Sequence, residues 1–263
     1  MPGQGLAAVI LAAGKGTRMH SDRAKVLNPL AGRPLLIHVL DAVAALNPAR
    51  VLVVVGYQAA EVKQACANRS VEFVEQAEQL GTGHAVQQAQ AALEDFEGEV
   101  LILCGDMPLI RSATLKTLLQ KHRETGAECT LLSLKTKEPK DFGRVVRGPD
   151  GAVLRIVEAQ DATNQEKTVD EYNSGVYCFD KGILFKALAS IDRGYAQGEY
   201  YLTDAVGILS RNGHSVECHS TQDADEIFGI NSSDDLKKAE QMVQARASGA
   251  IVFPNQPNSE PKP

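Results

Sequence analysis

Short, almost unbroken apolar runs alternate with helically spaced apolar positions along the first half of the chain. Ala7-Ala8-Val9-Ile10-Leu11, residues 51–55 and Val100-Leu101-Ile102-Leu103-Cys104 have the length and the Val, Ile and Leu content of strands buried on both faces. Between them, residues 35–46, 59–67 and 82–93 place apolar side chains at helical spacing, and residues 111–124 follow the third run in the same way. This β-α-β-α order predicts a layered α/β sheet with right-handed crossovers.

The pattern changes in the second half. Strand-like runs at residues 129–134, 144–146, 153–157 and 175–179 stand closer together, two of them split by the turn Gly148-Pro149-Asp150-Gly151. They predict a mixed or antiparallel extension of the sheet. A final helix over residues 233–247 carries Leu236, Ala239, Met242 and Val243 on one face, with Ser232 or Ser233 as its N-cap. Residues 251–263 are proline-rich and polar and predict a disordered tail. No internal repeats are visible.

Composition narrows the class. With 44% hydrophobic and 23% charged residues the chain has the make-up of a globular protein, and its 263 residues suffice for one large α/β domain or two small ones. No apolar stretch approaches the ~20 residues that cross a bilayer, and the first residues lack the pattern of a signal peptide, so a cytoplasmic protein without a membrane partner is expected. A net charge of −6 argues against a nucleic-acid partner. The five cysteines are dispersed, with no C-x-x-C pair, which predicts buried reduced thiols rather than a disulfide framework or a zinc site.

The first apolar run ends in Leu11-Ala12-Ala13-Gly14-Lys15-Gly16-Thr17-Arg18-Met19. Glycines and small residues admit a phosphate close to the backbone, and successive amides in such a turn, beside Lys15 and Arg18, form an anion-binding concavity. The loop is not a P-loop, because its lysine lies between the two glycines. A dinucleotide fingerprint fails as well: Met19 stands where a third small residue is needed, and no acidic residue closes the second strand. Asp106 follows the third strand at the same carboxyl-terminal end of the sheet as the loop, which is where open α/β sheets gather ligands. Ahead of it, Gln76 offers an amide donor and acceptor suited to a pyrimidine edge, Gly81-Thr82 opens a helix, and His84 reads as a packed residue.

The glycine loop followed by Ala24-Lys25-Val26-Leu27 and then Gly32-Arg33-Pro34-Leu35 resembles the signature of sugar nucleotidyltransferases. The stretch Gln76-Ala77-Glu78-Gln79-Leu80-Gly81-Thr82-Gly83-His84-Ala85 looks like the uridine-binding segment of one branch, the N-acetylglucosamine-1-phosphate uridyltransferase domain of the bifunctional enzymes that make UDP-N-acetylglucosamine. Further matching segments are Gly105-Asp106-Met107-Pro108-Leu109-Ile110, Asp141-Phe142-Gly143-Arg144-Val145, residues 156–162, Tyr172-Asn173-Ser174-Gly175, residues 197–204 and Gly229-Ile230-Asn231.

The resemblance implies an α/β Rossmann-like nucleotidyltransferase fold, a mixed, mostly parallel sheet flanked by helices. One domain is expected over residues 1–250, with a nucleotide-binding half over 1–125, a sugar-binding half over 126–230 and the closing helix behind them. It implies transfer of a uridylyl group from UTP to N-acetylglucosamine 1-phosphate with release of pyrophosphate. In that reading Lys25, Arg18 and Asp106 are catalytic, and Leu11, Ala12, Ala13, Gly14, Gln76, Gly81 and Thr82 bind the nucleotide. Gly143, Glu158, Asn173 and Asn231 bind the sugar side, and Asp106 with Asn231 holds Mg²⁺. A homo-oligomer is compatible with the sequence. Alternatives that stay open are another nucleotide, another hexose or hexosamine 1-phosphate, or a module that binds sugar nucleotides without turnover.

Two departures stand out. The family usually has Tyr where this chain has Cys104, which bears on the choice of sugar, and the chain lacks the hexapeptide repeats of the acetyltransferase domain, so no acetyl transfer is expected.

Overall fold

The computed structural model describes residues 5–19, 21–138, 141–192 and 198–248; the expected tail and Gln197 lie outside them. In chain order the elements are β1 (Gly5–Ala12), a small hairpin of β2 (Pro29–Leu30) and β3 (Arg33–Pro34), α1 (Leu35–Ala44), β4 (Arg50–Val55), α2 (Ala59–Ala65), β5 (Glu72–Glu75), α3 (Thr82–Gln87) and β6 (Gly98–Cys104). They continue with α4 (Ser112–Thr125), β7 (Cys129–Lys135), β8 (Arg144–Arg147), β9 (Val153–Val157), β10 (Glu171–Asp180), α5 (Lys181–Leu188), α6 (Thr203–Arg211), β11 (Val216–Thr221) and α7 (Ser233–Ala247).

The main sheet has the order β11-β7-β10-β6-β1-β4-β5, with β8 and β9 attached beside β10. β1 is parallel to β4 and β6, β4 to β5, and β11 to β7, whereas β10 runs against both β6 and β7. The sheet is therefore mixed and mostly parallel, the Rossmann-like arrangement that the sequence implied.

Alternation along the strands builds two apolar layers. Ala7, Val9, Leu52, Val54, Val100 and Ile102 face a layer closed by α3, α5 and α6. Ala8, Ile10, Val53, Val55, Leu101 and Leu103 face one closed by α1, α2 and α4. A sheet with both faces covered needs strands apolar at every position, which is why β1, β4 and β6 read as unbroken runs.

Four elements do not follow from the apolar pattern. β5 and β11 are the two edges of the sheet, and their residues, Glu72-Phe73-Val74-Glu75 and Val216-Glu217-Cys218-His219-Ser220-Thr221, are half-buried or exposed apart from the buried Thr221. An edge strand needs no continuous apolar run, so it leaves a weak signal. α5 and α6 are too short for the spacing to stand out. The helix expected over residues 82–93 stops at Gln87 and resumes as a 3₁₀ turn at Ala91–Leu93. β10 begins at Glu171 and contains a register shift between Asn173 and Tyr177, where Gly175 adopts a positive φ of 81°.

Candidate active site

The loop after β1 contains two glycines with different tasks. Gly16 has φ 71°, and a Cβ there would lie 2.6 Å from Cβ of Lys25, so only glycine lets the loop close onto that lysine. A Cβ on Gly14 would meet nothing within 4 Å and would point into open space. Leu11, Ala12, Ala13 and Gly14 line one side of a cleft of about 390 Å³ at the carboxyl ends of β1 and β6, together with Lys25, Gln76, Gly81, Thr82, Asp106 and Glu158. Lys15, expected beside the anion site, holds its Nζ over the Tyr57 ring, 5.3 Å from the centroid.

Four predicted residues from three regions meet at one point. Nζ of Lys25 forms an ion pair with the carboxylate of Asp106 and donates to Oδ1 of Asn231 at 3.0 Å, across 206 positions of sequence. Arg18 donates to the same Oδ1 at 3.3 Å. Two hydrogen bonds to backbone carbonyls set this up: the amide of Ile230 donates to the carbonyl of Asp106 at 3.0 Å, and the Ser233 hydroxyl donates to the carbonyl of Met19 at 3.0 Å.

Behind them the N-terminus of α7 forms a capping box, with Asp235 N donating to Ser232 Oγ and Ser232 N to Asp235 Oδ2. The same Oδ2 also accepts from the amide of Asn231, at 3.1 Å. α7 then packs Leu236, Met242 and Val243 beside Met19, Leu30 and Ile230, so the helix predicted from its apolar stripe serves to hold this corner of the site.

At the other end of the cleft, Gln76 is 3% exposed. Its Nε2 donates to the carbonyl of Gly81 at 3.0 Å and lies 3.0 Å from Nδ1 of His84. The side-chain donor is thus spent inside the protein, and the sequence reading that gave Gln76 both a donor and an acceptor for a base keeps only the acceptor. Gly81 has φ 106°, and a Cβ on it would lie 2.5 Å from the carbonyl oxygen of Tyr200, so the chain must be glycine here. Thr82 Oγ1 accepts from the amide of Leu202 at 3.0 Å, and the amide of Gly83 donates to Tyr200 O at 2.8 Å. The Gly83 amide in the first turn of α3 is therefore bound to the segment around Tyr200. His84, taken as a packed residue, does stack on Tyr200 but also makes a polar contact to the candidate base reader.

The sugar-side residues divide. Glu158 lines the cleft and accepts from Thr203 Oγ1 at 2.9 Å; burial pushes its carboxyl above the ordinary range, and the nearby Asp161 and Asp204 add to this. Gly143 sits against Glu158, since a Cβ on it would lie 3.5 Å from Oε2 and 2.8 Å from Ile156. Asn173 is buried in the β10 irregularity, where its Nδ2 donates to the Tyr177 hydroxyl at 2.7 Å and its Oδ1 accepts from the Gly175 amide. Neither Gly143 nor Asn173 lines the cleft; both shape the wall behind it.

Cys104 lines the cleft, its thiol pushed up to about 12 by burial and by the Asp106 carboxylate. Gln160, inside the matching segment 156–162 but given no role from the sequence, lines both this cleft and the neighbouring hollow that holds Arg18 and Asn231.

The side-chain oxygens of Asp106 and Asn231 converge on one cation, the Lys25 ammonium. Two oxygens bound to one nitrogen are no more than ~6 Å apart. Among the described residues no group of three or more His, Cys, Asp or Glu stands together as a complete metal site. A pair of hard oxygens that leaves the remaining positions to water and phosphate suits a small divalent cation.

The class of protein is a nucleotidyltransferase, as a family match shows. Residues 8–192 match the model of the MobA-like NTP transferase domain, and the chain belongs to that family. Such enzymes generally use a divalent metal. Among individual proteins, the chain is 46% identical over 239 residues to the "Bifunctional protein GlmU" of Bacillus cereus (strain G9842), covering 91% of this chain and 52% of that protein. It is 44% identical over 261 residues to the protein of the same name from Oceanobacillus iheyensis, covering 97% and 57%. The chain thus spans about half the length of these curated relatives.

Among solved structures, a UDP-glucose pyrophosphorylase complexed with UDP-glucose superposes with a TM-score of 0.74 at 16% identity, over 91% of this chain and 98% of that one. A nucleotidyl transferase from a Methanothermobacter species gives 0.67 at 19% identity, over 93% and 100%. At these identities the likeness concerns the fold. Among the described residues no helix is long and apolar enough to cross a membrane.

Proposed function

We propose that this chain transfers a uridylyl group from UTP to N-acetylglucosamine 1-phosphate, giving UDP-N-acetylglucosamine and pyrophosphate, in the cytoplasm. The observation that carries the proposal is the convergence of Lys25 and Asp106, which line the cleft beside the open Gly14 turn, with Arg18 and Asn231 of the adjoining hollow, while the cleft also presents the Gln76 side-chain acceptor. Identity of 44–46% to the GlmU proteins supports the choice of nucleotide and sugar.

The reaction is an in-line displacement at the α-phosphorus: a phosphate oxygen of the sugar phosphate forms the new bond as the bond to pyrophosphate breaks. That oxygen is already anionic at neutral pH, so no general base is required. The obstacle is repulsion between two polyanions. Lys25 and Arg18 neutralise phosphate charge, and the loop amides position the triphosphate for attack. Mg²⁺ held by Asp106 and Asn231 would supply further neutralisation of the phosphates. Glu158, Gly143 and Asn173 shape the sugar end, and Gln76, Gly81 and Thr82 the base end.

A second reading, another hexosamine or hexose 1-phosphate as acceptor, is favoured by one observation: a small thiol, Cys104, lines the cleft where the family usually has Tyr. One experiment tests both readings. Pyrophosphate release is measured over a panel of nucleoside triphosphates and sugar 1-phosphates, and fastest turnover with UTP and N-acetylglucosamine 1-phosphate is expected. A different preferred sugar selects the second reading, and no release with any pair overturns both.

A further inference from the structure

We infer that His84 is a positioning residue for base selectivity, locking the Gln76 carboxamide so that its oxygen faces the cleft; this rests on the uridylyl-transfer reading above. The lock follows from hydrogen-bond bookkeeping. The carbonyl of Gly81 can only accept, so the Gln76 atom 3.0 Å from it is the NH₂ nitrogen. One proton of that group is used there. The other faces Nδ1 of His84 at 3.0 Å, so Nδ1 carries the lone pair and the imidazole proton resides on Nε2.

With both N–H bonds spent, Gln76 presents only Oε1 to a ligand. Its backbone is held as well, since Gln79 Nε2 donates to the Gln76 carbonyl at 3.0 Å. The imidazole is kept in place by stacking on Tyr200, with ring centroids 6.3 Å apart. A fixed acceptor pairs with the N3–H of uracil. In the same pose cytosine presents the lone pair of its N3, and oxygen would oppose nitrogen with no proton between them. A carboxamide free to rotate would escape this by turning its NH₂ toward cytosine. Holding the amide at two acceptors removes that option, so His84 contributes selectivity through Gln76 without itself touching the base.

The lock is tested in the parent protein and in two variants. Long-range ¹H–¹⁵N NMR of the parent reads the His84 tautomer directly: a proton on Nε2 is expected, and a proton on Nδ1 would overturn the proposal, because Gln76 would then have to be turned around. His84→Phe keeps the ring on Tyr200 but removes the acceptor. His84→Asn returns an acceptor near the position of Nδ1.

The ratio of kcat/KM for UTP to that for CTP should fall about tenfold in H84F and return to within about threefold of the parent in H84N. An unchanged ratio in folded H84F would make His84 a packing residue only, and if H84F does not fold the tautomer in the parent decides. Should the parent itself fail to transfer uridylyl groups, the functional reading falls and the selectivity role falls with it. A parent that prefers UTP while H84F keeps the same preference sinks the lock alone.

Discussion

The backbone amide of Ile230 donates to the carbonyl oxygen of Asp106 at 3.0 Å, which places Asn231, the next residue, beside the Asp106 side chain at the mouth of the cleft. Nothing local makes these positions neighbours. The tie is completed by Asp235, whose carboxylate accepts from the amides of both Asn231 and Ser232. The site and the start of α7 are therefore one unit.

Replacing Asp235 by Ala removes half of the capping box and the anchor of Asn231. A loss of ~1 kcal/mol in stability is expected from the cap alone. Turnover should fall by more than stability accounts for, since Asn231 is no longer held toward Lys25 and Asp106. Urea denaturation and steady-state pyrophosphate release on the same preparation separate the two effects, and a cap effect without a rate effect would detach α7 from the chemistry.

The two loop glycines should respond in opposite ways. Gly16→Ala forces a side chain into a positive φ and against Lys25, so a destabilisation of ~1–3 kcal/mol is expected, seen as a lower midpoint in denaturant. Gly14→Val meets open space in the cleft, so its stability should stay close to the parent's while affinity for UTP drops, as measured by calorimetry. Equal UTP affinity in Gly14→Val would leave this turn without a phosphate.

Lys25→Ala and Asp106→Asn probe the charge at the centre. The first removes a cation aimed at the phosphates, and turnover should fall by orders of magnitude with the fold intact by circular dichroism. The second retains size and hydrogen bonding but loses the negative charge. Its rate should be severely reduced, and saturation should need more Mg²⁺ than in the parent, read from rates over a metal titration. Parent-like metal dependence in Asp106→Asn would exclude Asp106 as a ligand.

Stability should also fall on mild acidification because of His122, away from the cleft. Burial pushes its imidazole below the ordinary value, and its Nδ1 lies 2.9 Å from Thr130 Oγ1. The unfolded chain takes up a proton near the usual ~6.5, whereas the folded chain does so only at lower pH. Between those values the unfolded state binds more protons, so stability drops as pH falls through this window. His122→Gln should flatten that part of the curve in denaturation midpoints taken from pH 7.5 to pH 5; an unchanged slope would assign it to other groups.

The sequence by itself determined the buried parallel centre of the sheet and the position of the loop. Strands covered on both faces must be apolar at every residue, and a loop that closes onto Lys25 at a positive φ must carry glycine at position 16. Such requirements leave a local trace. Motif resemblance added the order of Lys25, Gln76, Asp106 and Asn231 but not their geometry. Only the tertiary structure decided that Lys25 reaches Asn231 across 206 positions, that Asn173 turns into the wall rather than the cleft, and that His84 faces the Gln76 amide. It also supplied the edge strands β5 and β11. Those features depend on contacts between segments remote in sequence, or on edges that water is free to meet, and neither imposes a pattern on neighbouring residues.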